Sequence, residues 1–386
     1  MRTFLAGLIV SLLVIPVRAA DADASAAGQQ VVDRALKFLV DHQQANGSFQ
    51  QSDRQPPAVT ALVIQGLAHS PKYGPKSDPC QRALKYLATV QQPNGGIYRD
   101  MLATYNTAIA VSALAALDDP SQRERIDRAV AYLKGAQFTD AIAGAAGAKI
   151  DPKVAAGGWS YGGSRGGRPD VSNTAIALDA LHDSGLKADD PAYQNALKFI
   201  GRLQNNSETN AAPWAGNDGG FIYNPGAAGE GESAAGEYTT PDGKRMLRSY
   251  GSMTYAGLKS MIYAGLSKDD PRVKAAWGWV QSNWTLDEHP GMKAAGGGSP
   301  RDGIFYYYNT LAKALAVYGE PVIADQAGAR HDWRTELLAK LASIQRPDGS
   351  FAGERKWMED DPVIATSMAT LAAQAALADL AQKPSK

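Results

Sequence analysis

In Pro169-Asp170-Val171-Ser172-Asn173-Thr174-Ala175-Ile176-Ala177-Leu178-Asp179-Ala180-Leu181 the order of residues writes a helix start. Asp170 and Ser172 are both suited to cap it, because a short polar side chain accepts a bond from the free amides of a first turn. An apolar face of Ala, Leu and Ile follows. A Gly-rich loop containing Gly157-Gly158-Trp159 comes before it.

The same loop-then-helix order recurs outward in both directions. Ala35-Leu36-Lys37-Phe38-Leu39 runs to Gln43 and Gly47-Ser48-Phe49; Ala83-Leu84-Lys85-Tyr86-Leu87 runs to Gln91 and Gly95-Gly96. Related copies begin at Ala129, Ala196, Ala275 and Leu337, the fifth with its turn at Asp302-Gly303-Ile304-Phe305 and its second helix from Tyr308-Asn309-Thr310. Each unit is a helix, a Gly-containing turn and a second helix, and one threonine column runs through the second helices: Thr60, Thr107, Thr174, Thr254, Thr310 and Thr366. Helix pairs that cannot bury their apolar faces alone must stack. An open solenoid and a closed ring both answer that need. The second helices carry little charge, as in 108–117, 175–181 and 311–317, and suit an inner ring; the Lys/Arg/Asp-bearing first helices suit an outer one. The expectation is an all-α protein: one α/α toroid (barrel) of six helix-pair repeats over residues 31–380, with inner and outer helical rings, then a tail at 381–386.

Length alone, at 386 residues, would suggest two or three domains, and the repeats override that prior. Composition is that of a soluble globular chain, 44% hydrophobic and 20% charged. Lys+Arg and Asp+Glu are both 39, so no charge excess points to nucleic acid or an acidic membrane surface. Met1-Arg2, an apolar run over 4–15 and Val17-Arg18-Ala19 read as a secretory signal peptide, residues 1–19, followed by an Ala/Asp/Ser linker, 20–30. An uncleaved N-terminal anchor is the other reading of that segment. Cleavage would remove the span and leave a secreted or periplasmic protein. Cys80 is the one cysteine, which excludes an intrachain disulfide and a Cys-based zinc site; no metal and no cofactor is expected.

The turns lead into the N-termini of the inner helices, so insertions at 140–156, 226–248 and 287–301 fall on one face. The helix N-termini converging there favour an anion or a polar ligand head.

The pattern aromatic-Leu-x-x-x-Gln-x-x-x-Gly-x-aromatic, as in Phe38-Leu39…Gln43…Gly47-Ser48-Phe49, resembles the repeat shared by squalene-hopene cyclases and the β subunits of protein prenyltransferases. The resemblance spans essentially the whole mature chain. It implies a terpenoid cyclase-like α-α toroid with a central cavity, of single-toroid size, and a divergent, secreted member. In the cyclase branch an Asp-x-Asp-Asp at an inner-helix start supplies the proton. Here Asp170 and the following Thr174 match, but Ser172 stands where the resemblance puts the proton donor, and Asn173 takes the next acidic position. A serine hydroxyl is far too weak an acid to protonate an alkene, so protonation-initiated cyclisation is not expected. The prenyltransferase branch implies zinc on Asp, Cys and His; Cys80 lies at the start of an outer helix, away from any cavity position.

Other constellations bear on a site. Tyr105, Trp159, Tyr161, Tyr250, Tyr306, Tyr307, Tyr308 and Trp357 gather near the expected cavity mouth. Such rings stabilise cations through their faces, or fill a small barrel and bond through their hydroxyls. Asn106, Asn173 and Asn309 precede the threonine column and suit either ties between repeats or ligand contacts. In Glu359-Asp360-Asp361, Asp361 followed by Pro362 reads as a helix cap; a catalytic carboxylate is the alternative. Asp287-Glu288-His289 sits in an insertion and reads as solvated loop, with part of a metal site as the alternative. Arg165 and Arg168 sit just before the motif, where a diphosphate or carboxylate would bind, or lie in a surface loop. Catalytic candidates are thus Asp170 and Asp361.

Three functions fit. The first is an exported toroid that binds an apolar or isoprenoid-like small molecule without protonating it. The second is an active terpenoid cyclase or prenyltransferase-like enzyme with a relocated acid. The third is an extracytoplasmic scaffold for a protein or polysaccharide on the insertion face. A deep aromatic-lined cavity favours the first two, and a plugged barrel the third.

Overall fold

The computed structural model describes residues 15–52, 55–139, 150–162, 167–294 and 298–382. Residues 1–14 of the expected signal peptide, Arg165, residues 383–386 of the expected tail and part of the first and third insertions lie outside them. The helices that build the molecule alternate along the chain: α1 (Ile15–Asp41), α2 (Ala58–Ala68), α3 (Asp78–Thr89), α4 (Ala103–Ala116), α5 (Arg123–Ala136), α6 (Val171–Asp183), α7 (Pro191–Gly201), α8 (Gly251–Tyr263), α9 (Pro271–Ser282), α10 (Ile304–Tyr318), α11 (Trp333–Ile344) and α12 (Pro362–Ala381). Two short antiparallel hairpins are added: β1 (Glu237–Thr239) with β2 (Arg245–Leu247), and β3 (Val322–Ala324) with β4 (Arg330–Asp332).

The odd helices are amphipathic. In α3 only Cys80, Ala83, Leu84 and Leu87 are buried, one stripe at helical spacing. The even helices are buried nearly all round: every residue of α2 from Ala58 to Leu67 is inside. A helix apolar on all faces belongs in a core, and the even helices form one. They pack in the order α2, α4, α6, α8, α10, α12, and α12 returns to α2, so the inner ring is closed. The odd helices lie outside it, and α1 packs against α11 and α12. α12 is long and apolar enough to cross a bilayer, and 67% of its apolar window is buried within the barrel.

The recurrent polar residues are the ties. Gln43 Nε2 donates to Gly47 O in its own turn and to Pro79 O in the next outer helix, at 3.0 and 2.8 Å. Gln137, Gln204 and Gln345 repeat this bridge, and Gln345 reaches Val31 O across the chain ends. Thr60, Thr107, Thr174, Thr254 and Thr366 each accept the amide of the turn residue that plugs the core: Phe49, Ile97, Trp159, Phe221 and Phe351. Gly349 lies at φ 89°, and a Cβ there would stand 2.5 Å from Arg34 O, so the seam between last and first units admits only glycine.

Two expectations are corrected. Residues 20–30, read as linker, belong to α1, which runs unbroken from Ile15. The fifth turn, read over 302–305 with a helix starting near Tyr308, instead enters α10 directly at Ile304 behind Gly303 in the left-handed region. Thr310, like Thr107 and Thr254, donates back one turn along its helix, to Tyr306 O. The all-α architecture stands, with the hairpins as additions at its two ends.

Candidate functional site

A cavity of about 510 Å³ opens at the N-terminal end of the inner helices. Tyr105 comes from the first turn of α4, Ser172 from α6, Tyr250 and Met253 from the start of α8, and Tyr306 from α10. Tyr161 and Tyr223 come from the turns ahead of α6 and α8. Val59, Leu62, Ile364 and Met368 complete an apolar wall, and Leu102, Trp357 and Met358 make the rim. Trp357 and Met358 are among the most exposed large apolar residues described, at 41% and 48%. Leu102, Trp357 and Met358 hold φ of 54°, 58° and 62°, a region costly for residues with side chains.

Six of the candidate ligand contacts therefore meet in one place: Tyr105, Tyr161, Ser172, Tyr250, Tyr306 and Trp357. The ring centroids of Tyr105 and Tyr161 are 5.8 Å apart, and the hydroxyls of Ser172 and Tyr306 share a 2.6 Å hydrogen bond. Burial raises the phenols of Tyr105, Tyr161, Tyr223, Tyr250 and Tyr306, so these groups stay neutral. Lys356 is the one charged residue in the wall among those described, and its Nζ is 3.2 Å from Asp302.

The other candidates lie elsewhere. Trp159 is fully buried, with Nε1 donating to Leu133 O at 2.7 Å, and serves the packing of its repeat. Tyr308 turns outward on α10 and donates to Leu286 O. Asn106 ties two repeats, accepting from Ala58 N at 3.0 Å and donating to Met101 O at 2.9 Å. Asn173 donates to Asp170 at 2.8 Å. Asn309 lies deeper, in a chamber of about 50 Å³ below the cavity. Arg168 pairs with Glu232 at the surface. Asp361 is a cap, accepting from Val363 N and Ile364 N, and it also receives Gln55 Nε2 at 2.6 Å.

Asp170 caps α6 through Asn173 N at 2.7 Å and is 2% exposed. Burial pushes its carboxyl up to about 7, against hydrogen bonds from Asn173 and Tyr223 that favour the anion. It stands behind the cavity wall, not in it. Glu359 is fully buried, and its Oε1 accepts from Tyr306 N at 2.7 Å, capping α10. Burial pushes this carboxyl, too, up to about 7, against the amides of Tyr306, Phe305 and Ile304.

The anion site expected at the helix N-termini meets amides already occupied. Asn106 takes α2 and Tyr161 O takes α4; Asp170, Glu359 and Asp361 take α6, α10 and α12. At α8, His289, read as part of a solvated loop, is instead fully buried: its Nε2 accepts from Ser252 N at 2.9 Å while its Nδ1 donates to Asp302 O. Burial lowers this imidazole to about 4, so it is a neutral cap. What remains is an apolar, aromatic chamber with hydroxyl groups in its wall.

Sequence reasoning missed Tyr223, Met253, Met368, Met358 and Lys356. A signal existed for Tyr223: it follows Phe221 by two residues, as Tyr161 follows Trp159, and residues at that offset face the mouth. Among the described residues no group of three His, Cys, Asp or Glu is placed to hold a metal ion. Cys80 is buried in α3, and burial raises its thiol to about 11.

No family model matches the sequence, and no curated protein matches it. Solved structures do match. A variant of the type II terpene cyclase MstE from Scytonema, in complex with its product merosterolic acid A, is 14% identical over 93% of this chain and 99% of that one, with a TM-score of 0.53. Another MstE variant, in complex with its substrate geranylgeranyl dihydroxybenzoate, is 15% identical over 93% and 99%, with a TM-score of 0.51. A protein from Actinoplanes is 19% identical over 92% and 100%, also at 0.51. The chain has a terpenoid cyclase-like fold.

Proposed function

We propose that this protein binds an apolar, isoprenoid-like molecule in the upper cavity and does not protonate it. The observation that carries the reading is the pairing of an aromatic chamber with the Ser172–Tyr306 hydroxyl contact at its wall. Ser172 holds the position at which the family resemblance puts an acid, and a hydroxyl there offers hydrogen bonding without a usable proton. Pockets of roughly 300–1,000 Å³ lined by apolar and aromatic groups suit small molecules. At roughly 30 Å³ for each water-sized group, about 510 Å³ accommodates about 15–20 non-hydrogen atoms. That is enough for a fifteen- or twenty-carbon isoprenoid chain. The likeness in fold to a cyclase that holds geranylgeranyl dihydroxybenzoate supports the same class of ligand. A leader over residues 1–19 would put the activity in the periplasm or outside the cell.

Native mass spectrometry of the protein from its own cells, followed by organic extraction, tests the reading. A co-purifying isoprenoid, and a mass gain with farnesol or geranylgeraniol, is expected. A bare chain that takes up none of them would overturn it in favour of a scaffold working through the insertion face.

A second reading rests on Asp170. A buried carboxyl that keeps its proton near neutral pH, beside Tyr161 and Tyr223, supports an enzyme with a relocated acid. Turnover of a geranylgeranyl substrate by the wild type and not by Asp170→Asn would replace the binding reading with this one.

A further inference from the structure

The two ends of the barrel are finished differently. At the upper end the chain's own acceptors cap the inner-helix N-termini. At the lower end the inner helices open onto a second cavity, of about 660 Å³. Its wall includes the final turns or caps of all six: His69 after α2, Ala116 of α4, Asp183 of α6, Tyr263 of α8, Val317 of α10 and Ala378 of α12. Each helix C-terminus carries the negative end of its dipole, roughly half an elementary charge. Several such ends around one cavity favour a cation.

The side chains divide the same space into two halves. Val32, Leu36, Leu371 and Leu377 make one side apolar. Opposite them stand Asp183, Tyr263 and Lys313. Lys313 is 3.9 Å from Asp179, whose carboxylate is already bound at 2.5 Å by the buried Lys259. That Asp179–Lys259 pair lines the chamber of about 50 Å³ that narrows the barrel between the two cavities. Asp183 has a side chain 36% exposed and forms no ion pair with either lysine within 4 Å; its neighbours are His182 and Ser112. Burial pushes its carboxyl up, but hydrogen bonds from His182 and Ser112 and the charge of Lys313 outweigh this and hold it below the usual range. The His182 ring stacks on Tyr263 at 4.1 Å, so an aromatic ring of the wall lies beside the carboxylate.

We propose that the lower cavity is a second ligand site that takes a protonated amine on an apolar body. The ammonium lies against Asp183, the Tyr263 ring and the carbonyl ends of the inner helices; the body lies against Val32, Leu36, Leu371 and Leu377. Aromatic faces attract such cations, and Asp183 supplies a charged acceptor. The site is independent of what the upper cavity binds.

Titration calorimetry of the full chain with n-octylamine, n-octanoate and n-octanol at neutral pH and low salt tests it. The amine should bind one to one, about tenfold or more tighter than the acid or the alcohol, because a hydrogen bond to a charged group carries that difference. Asp183→Asn should weaken the amine about tenfold. Lys313→Met should tighten it by removing a like charge. Ala316→Phe, which fills the cavity from α10, should abolish uptake while farnesol binding above is unchanged. Octanoate binding as well as or better than the amine would overturn the proposal. So would equal binding of all three probes, absence of any binding at millimolar concentration, or an Ala316→Phe protein that melts normally and still takes up the amine.

Discussion

Asp170 shows how one residue couples fold, stability and chemistry. Its position as the cap of α6 was readable in the sequence, because a short carboxylate before an apolar run has few other uses. Its burial was not, because that depends on Tyr161 and Tyr223, contributed by two different turns. Glu359 makes the same point: the sequence drew attention to Asp361 beside Pro362, while the buried carboxylate two residues earlier caps a helix more than fifty positions away. Both carboxyls sit near 7 in the folded protein, far above their ordinary values. The folded state therefore binds more protons than the unfolded one between about pH 4 and 7, and stability from these groups falls as pH rises through that window. A tenfold change in proton affinity is worth about 1.4 kcal/mol, so the fall is large enough to measure. Urea unfolding at pH 4.5 and 7.5 should show the wild type losing stability relative to an Asp170→Asn, Glu359→Gln double variant as pH rises. A difference independent of pH would remove the argument. A second residue-scale prediction concerns Thr174, whose Oγ1 accepts Trp159 N at 3.0 Å in the dry core. Thr174→Val should cost about 1–3 kcal/mol in urea denaturation by leaving that amide unpaired.

At the level of helices and turns, the recurring glutamines act on two elements at once. Gln204 is fully buried and donates at 2.9 Å to Gly219 O in its turn and at 2.8 Å to Arg272 O in α9. Gln204→Leu keeps most of the volume but strips both carbonyls of a donor, so a loss of about 2–4 kcal/mol in urea denaturation is expected. The inner helices pose a different problem, since Lys259 on α8 and Asp179 on α6 form an ion pair with side chains only 3% and 10% exposed. Lys259→Met leaves the buried carboxylate with only the more distant Lys313, at 3.9 Å, and should cost about 3 kcal/mol; adding Asp179→Leu should recover much of it, because replacing both ions by apolar groups is often neutral. Calorimetric melting of the single and double variants reads this directly. These roles were only partly legible. The Gln and Thr columns announced a repeat by their spacing, but the partner of each glutamine lies in the next unit, and a linear sequence gives no distance to it. The buried pair was hidden altogether, because Asp179 and Lys259 lie on adjacent inner helices eighty positions apart.

The molecule as a whole is governed by closure. That the chain forms stacked helix pairs followed from periodicity, and the low charge of the second helices indicated which ring they occupy. The cavity that forms at either end followed less readily, since it depends on which side chains project beyond the packed layers: Tyr161 and Tyr223 above, Asp183 and Tyr263 below. Closure has a mechanical consequence. In an open solenoid each unit contacts only its neighbours, stability is close to a sum over units, and an end unit is dispensable. Here α12 packs on α2 and α1 packs on α11 and α12, with Gln345 bonded to Val31 O and Gly349 seated against Arg34 O. The chain's start and finish are one more interface, so no unit is terminal. Removing residues 1–68, which takes away α1 and α2, would leave the apolar faces of α4 and α12 uncovered and should give an insoluble or unfolded chain. Cutting instead between Lys187 and Ala188, in the turn between α6 and α7, and joining the original ends through a flexible Gly/Ser linker preserves every interface. That permutant should unfold in one cooperative step at a temperature within a few degrees of the parent. A deletion variant that folds as well as the permutant would mean the ring's closing contacts contribute little, and the molecule would then behave as a solenoid bent into a circle.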